Sequence, residues 1–343
     1  MREKIKQLLK KYNAIGRKKL YKERKYEEAL EYIIRAIQCA ELLDDWDGIV
    51  QNRLLLGHVY LNSMKDLNYA AEIYTKILKM FEEKQSEEVI EKSEEYFKCK
   101  YALARTLRKL GKLDQAISIL EDIESKFHDN ETRINVFNDL GLTYWRKASV
   151  TQNKIYLDEA IRIYDLAIEL CNEEVLHKSK AMVLNNKGMA YYDQQQYDLA
   201  INTFNEALSL TNDEFYIACI SNEIAKTYLK LGNFHMAKKF INKANQILLD
   251  YDEKAGEIEL LRNLAIEGLY QRKIGNFEDA VNYFEMAATK LEDRELKIEA
   301  AETFHQLSLM LKERGDIRSG RYALKFEELA KEIEEQEQRL ISS

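Results

Sequence analysis

Asn138, Asn185 and Asn222 stand at one place in three successive helical repeats of a 343-residue chain. Asn is a mediocre helix former, because its amide competes for backbone hydrogen bonds. Its return at a fixed place therefore asks for another use. A primary amide offers one acceptor and two donors, the complement of the C=O and N–H of an extended peptide. A row of such amides could hold a peptide's main chain irrespective of its sequence. The alternative is that they bond neighbouring helices or water. Asn186 lies beside the row, at its edge.

Charge gives a second set of candidates. Arg105, Arg108, Arg146, Lys226, Lys230, Arg262, Arg272 and Lys273 fall on or next to the same helical stripe. Acidic residues look scarcer there, although the chain carries a formal net charge of −7. A basic wall on an acidic body would attract acidic side chains or a peptide's free C-terminus; a solvated lining is the plain alternative. Trp145, beside Arg146, could pack on a ligand side chain or cap the insertion at residues 147–155.

Other chemistry is not spelled out. His58, His128, His177, His235 and His305 fall in different repeats, without the paired spacing of a metal site. There is no G-x-x-x-x-G-K-[ST], no G-x-G-x-x-G and no nucleophile elbow. "KLGKLDQA" and "KIGNFEDA" contain turn glycines, not phosphate loops. The expectation is a protein without catalytic residues, metal or cofactor. The acidic balance gives no general affinity for nucleic acid, and no stretch approaches the roughly 18 apolar residues of a membrane span. Cys39, Cys99, Cys171 and Cys219 form no C-x-x-C pair and read as reduced packing residues of a cytoplasmic protein.

The elements that must position these residues are helices. The chain has no proline and 12 glycines, where average usage of about 5% would give roughly 17 prolines. Few helix breakers remain. "LNNKGMAYYDQQQYDLAINTFNEAL" aligns with "SNEIAKTYLKLGNFHMAKKFINKAN" and with "LAIEGLYQRKIGNFEDAVNYFEMAA"; "FNDLGLTYWRKA" continues, after the insertion, into "YLDEAIRIYDLAIEL". An alanine after the turn marks each unit, at Ala29, Ala71, Ala116, Ala160, Ala200, Ala237 and Ala280, with Gly320 in its place at the end. The count is eight helix pairs. Gly188 and Ala200 are small where two helices cross, and Tyr191, Tyr197 and Phe204 fill the space around them.

This pattern resembles the tetratricopeptide repeat, with its Gly, Tyr, Ala and Phe at set spacings. The resemblance implies an all-α, right-handed superhelix, a single solenoid over residues 1–343 with weaker capping units at 1–48 and 296–343. The repeats run about 40 residues against about 34 in the standard unit, and lack its closing proline. Longer helices are therefore expected, such as those in "KILKMFEEKQSEEVIEKSEEYFKCKYALARTL". Long repeats of this kind are similar to the repeat domains of bacterial peptide-pheromone receptors, the Rap, NprR and PlcR group, and to animal adaptor arrays of the LGN and kinesin-light-chain types. The first repeat-like pair begins near Tyr12, leaving no room for the helix-turn-helix of the DNA-reading members.

Helical geometry then separates packing from display. In the first helix of each repeat, positions four, seven, eight and eleven meet the second helix. Positions two, five, nine and twelve form another stripe. In the superhelices this chain resembles, that stripe lines the concave surface, and asparagine rows there hold peptides. Anchoring position eight on Gly141, Gly188 and Ala225 puts the three asparagines at position five. The implied function is a bacterial receptor for a short peptide that controls a partner protein; the alternative is a constitutive scaffold or assembly adaptor with no peptide ligand. A basic N-terminal stretch and an acidic "FEELAKEIEEQEQRLISS" would also suit head-to-tail contact between protomers.

Overall fold

The computed structural model describes residues 2–63, 66–90, 93–171, 176–249, 251, 254–294 and 296–342. Among the described residues the regular structure is helical throughout. Contacts divide the chain into two compact units, 1–156 and 157–343.

The first unit holds α1 (Arg2–Arg17), a π-helical turn (Lys18–Lys22), α2 (Tyr26–Leu43), α3 (Trp46–Ser63), α4 (Leu67–Lys84), the single turn α5 (Glu87–Ile90), α6 (Glu94–Lys109), α7 (Leu113–Ile123) and α8 (Asn130–Thr151). Consecutive helices pack as antiparallel pairs: α1 on α2, α3 on α4, α6 on α7. The stretch expected to supply longer helices is broken. α4 ends at Lys84, α5 follows, and α6 restarts behind a Ser93 side chain that accepts from the Tyr96 N–H. The length beyond a standard repeat goes partly into this connection and partly into the helices, α3 and α4 having 18 residues each and α8 22, the last running on to an αL cap at Gln152.

The second unit contains most of α9 (Ile155–Glu169), then α10 (His177–Asp193), α11 (Tyr197–Ser209), α12 (Glu214–Lys230), α13 (Phe234–Leu249), α14 (Lys254–Ile274), α15 (Phe277–Asp293), α16 (Lys297–Glu313) and α17 (Ser319–Ser342). The pairs α10–α11, α12–α13, α14–α15 and α16–α17 repeat the same packing.

One corner joins the two helices of a pair. A residue with positive φ sits two places before the second helix: Arg24, Gly111, Gln195, Gly232 and Gly275. Glycine adopts this conformation without strain; Arg24 and Gln195 do not. The fourth residue of the second helix is then a fully buried alanine, as at Ala29, Ala116, Ala200, Ala237 and Ala280. Two of the expected markers move. In α4 the buried residue is Ala70, not Ala71, because Asp66 caps the helix and starts it at Leu67. Gly320 is not a crossing point: its side-chain position opens onto empty space, and Ile317, in the usual aromatic place, is 93% exposed. α17 packs instead through Tyr322, Phe326 and Leu329.

Glycine in the first helix matches an aromatic residue in the second. A Cβ on Gly57 would lie 2.5 Å from the Tyr74 ring, and one on Gly188 2.5 Å from the Phe204 ring. Small-on-large contact brings the two backbones together, and Tyr74 and Phe204 are both fully buried by it. Tyr191 and Tyr197 pack at the half-buried margin.

Candidate functional site

Within each unit the first helices of successive pairs touch one another: α3 meets α6 and α6 meets α8 in the first unit, α10 meets α12 and α12 meets α14 in the second. The second helices do so to no comparable extent. The first helices are therefore the inner layer of each unit, and the position-five stripe lies along their mutual contacts.

In the first unit, Tyr101, Arg105 and Arg108 of α6 occupy places five, nine and twelve of that stripe. All three converge on Asp139 of α8. The Tyr101 hydroxyl donates to Asp139 Oδ2 at 2.6 Å, Arg108 Nη2 donates to Oδ1 at 2.9 Å, and Arg105 Nε lies 3.3 Å from Oδ2. Asp139 is 7% exposed and Asn138 beside it 5%. Asn138 and Arg146 both engage neighbouring groups, as do Trp145 and Asn186. Towards α3, His58 Nδ1 lies 3.0 Å from the Tyr21 hydroxyl. Burial, with the charges of Arg105 and Arg17, pushes His58 down to about 4.

The second unit is richer. Asn185 is 9% exposed; its Nδ2 reaches only the Met189 sulfur, at 3.9 Å, and its Oδ1 is buried with no partner. Asn222 is 1% exposed and fully used. Its Nδ2 donates to Glu259 Oε1 at 2.8 Å, and its Oδ1 accepts from Asn263 Nδ2 at 2.7 Å. Asn263 also donates to the Ile241 carbonyl oxygen at 3.2 Å. The other oxygen of Glu259 accepts from Arg262 Nη1 at 3.1 Å, and Arg262 Nη2 donates to Glu299 of α16 at 3.0 Å.

Lys226 donates to Glu223 at 2.8 Å and lies over the Tyr192 ring. Arg272 is held by Glu313 at 2.6 and 2.8 Å. Lys230 is exposed on the last turn of α12.

Two expectations are thereby corrected. The position-five stripe is expected to line an open concave surface, yet all three asparagines are buried, because successive first helices lie close enough to cover them. Acidic residues were expected to be scarce, yet Glu223, Glu259, Glu299 and Glu313 pair the cations named above. Asp139, Glu259 and Asn263 are the functional candidates that sequence reasoning missed. The signal was a charged or amide residue set inside otherwise apolar helix, in "FNDLG" and "EIELLRNLAIEG".

Several of these groups reach solvent yet feel a crowded environment, as residues lining a concavity do. Burial is the largest influence on Lys226, and would lower it, but Glu223 raises it overall; a third of its side chain is exposed. Burial and then Glu299 push the carboxyl of Glu302, an exposed residue, upward. Burial pushes the Tyr192 hydroxyl up to about 12. Lys226 lies over the Tyr192 ring, Arg262 pairs with Glu299, and both cations act on Glu302, so these side chains are neighbours across α10, α12, α14 and α16. Among the described residues, no group of three His, Cys, Asp or Glu side chains could hold a metal ion, and no helix is long and apolar enough to cross a membrane.

Tetratricopeptide-repeat family models match residues 97–123, 156–213 and 220–247. The chain carries tetratricopeptide repeats. Residues with this repeat pattern are similar to a "TPR repeat-containing protein" of Methanocaldococcus jannaschii, 29% identical over 137 residues, and to outer dynein arm-docking complex subunit 4 of Mus musculus, 28% identical over 129. These matches take in 39% and 37% of this chain, and span only about a fifth of either relative, 21% and 20%.

Solved structures match over far more of the chain. Aspartyl phosphate phosphatase F from Bacillus subtilis superposes with a TM-score of 0.64 at 18% identity, covering 88% of this chain and 74% of that one. The apo form of RapI gives 0.65 at 15%, covering 83% and 99%. A Rap protein complexed with Competence and Sporulation Factor gives 0.62 at 14%, covering 98% and 100%. At these identities the shared property is the fold, an all-α tetratricopeptide solenoid of Rap type.

Proposed function

We propose that this chain is a regulatory receptor for a short peptide, bound against the inner face of the second unit, and that occupancy controls a partner protein. The observation that carries the reading is the amide of Asn185. It is buried, its oxygen lacks a partner, and an unmade hydrogen bond there costs about 1–3 kcal/mol. Asn185 lies two turns before Tyr192 on the same side of α10, and a peptide N–H delivered to that oxygen as the covering side chains part would satisfy it. Lys226 and Glu302, on α12 and α16, offer charges of both signs, which suits a peptide of mixed charge better than a wholly acidic one. The Rap conjugation gene regulator of the plasmid pLS20, of the same fold, has been solved in complex with the Phr* peptide, which supports the reading.

Calorimetric titration against a library of five- to eight-residue peptides tests it. A binding peptide should lose affinity on Asn185→Ala with the melting temperature unchanged. The second reading, a constitutive scaffold, is favoured by Arg262 and Arg272, whose guanidinium groups are already satisfied within the protein. A library without a binder would favour it.

A further inference from the structure

The three cations on the last turns of α6 have one carboxylate between them. Arg105, Arg108 and Lys109 stand at i, i+3 and i+4, so they are surface neighbours on one helix. Asp139 is the acidic group they share, and it already takes a hydrogen bond from the Tyr101 hydroxyl as well.

Much of the donor capacity is unused. Arg105 meets Asp139 through Nε alone, and its terminal nitrogens have no acceptor among the described residues. Arg108 Nε is buried without a partner. Lys109 is half-buried and makes no ion pair among the described residues. His58 nearby is neutral, and Arg17 adds positive charge from α1. Half-buried like charges at this spacing repel each other, so the fold keeps an unbalanced charge of about +2 here by the simplest count.

We propose that the first unit binds a doubly charged oxyanion, the phosphate of a small molecule, between Arg105, Arg108 and Lys109. A guanidinium edge meets such an oxyanion in bidentate fashion, and the ammonium supplies a point charge beside it. A dianion would balance the cluster, where a single carboxylate would leave it positive. Asp139 holds Arg105 Nε and one terminal nitrogen of Arg108, and itself accepts from the Tyr101 hydroxyl, so both guanidinium groups are already anchored. The unbalanced charge has an independent mark in Lys109: burial and then the two arginines lower its ammonium from the ordinary lysine value. The site lies within the first unit, so it stands or falls apart from peptide binding by the second.

Calorimetric titration of the full chain with inorganic phosphate and, separately, with ribose 5-phosphate tests it. One saturable site is expected. Tighter binding of inorganic phosphate would mark the free anion as the ligand, and tighter binding of the ester a phosphorylated metabolite. Arg105→Gln and Lys109→Gln should each weaken binding about tenfold or more, the ~1.4 kcal/mol of one charge-assisted hydrogen bond. Lys109 pairs with no carboxylate among the described residues, so its variant retains the fold if Arg105→Gln does not. A site-specific readout is amine acylation at neutral pH followed by mass spectrometry. Phosphate should slow modification of Lys109 and leave exposed Lys98 of the same helix unaffected. Absence of saturable binding, full affinity in both variants, or protection of Lys109 only by an unphosphorylated acidic peptide would each overturn the assignment.

Discussion

Asn222 and Asn263, on neighbouring first helices, are joined amide to amide across 2.7 Å in the interior of the second unit. Glu259 extends the chain on one side and the Ile241 carbonyl on the other. This network fixes the spacing of α12 and α14 and sets Asn222 apart from Asn185, which occupies the equivalent place in its repeat.

Asn222→Ala should be destabilising. It removes the donor from one oxygen of buried Glu259 and the acceptor of Asn263, at a cost of about 1–3 kcal/mol. Each kcal/mol is worth roughly 2–4 °C in a unit of this size, so a fall of several degrees is expected in a thermal melt. Asn185→Ala should leave the melt unchanged or slightly raised, because the amide oxygen has no partner and Ala is the better helix former. Equal melts for the two variants would show that the network contributes nothing.

Gly188→Ala tests the helix crossing. The added Cβ would lie 2.5 Å from the Phe204 ring, which is fully buried and cannot withdraw. Overpacking of this kind costs about 1–3 kcal/mol. Pairing it with Phe204→Leu should recover part of the loss, since neighbouring sites couple. Urea denaturation of the two single variants and the double variant gives the coupling directly.

Gln195→Gly should stabilise the protein. Gln195 has φ 63° at a corner where other pairs use Gly111, Gly232 and Gly275. Relief of left-handed backbone in a residue with a Cβ is worth about 1 kcal/mol. The same change at exposed Leu199, inside α11, should cost about as much through lost helix propensity, and the two melts should move in opposite directions.

Acid should weaken the first unit through His58. Its folded value, about 4, lies below the ordinary 6.5. The unfolded chain therefore binds the proton first as pH falls. The stability is fully present above 6.5 and is lost as pH drops towards about 4, by ~3 kcal/mol at most. Denaturation at pH 7 and at pH 5 should show this slope, and His58→Gln should flatten it. Arg105→Gln should make the loss smaller, because removing one of the charges opposing the imidazolium brings the folded value closer to 6.5.

Periodicity made the pairs, the crossing glycines and the turn glycines legible, since each depends on spacing within one repeat. Ala70 was displaced from the expected Ala71 by an Asp66 cap that spacing does not encode. The inner layer was legible only as a stripe. Whether position five is open or covered depends on how closely the next first helix approaches, a relation between repeats. Asn222 meets Glu259, Arg262 meets Glu299 and Arg272 meets Glu313 across such gaps. Each partner reads in sequence as an ordinary helix-surface charge.

The repeated left-handed corner also governs how such an array can change length. Each small-on-aromatic contact is set inside its own pair, from a corner only a few residues away, so whole pairs could be duplicated or excised with the remaining contacts still in phase. A single residue gained or lost between the corner and the buried alanine has the opposite effect. It turns the second helix by about 100°, carrying Phe204 off Gly188 and bringing the bulkier Leu199 or Ile201 into the buried place of Ala200. Natural variation at these junctions should therefore come in units of a pair, and frame slips of one residue should be absent from them.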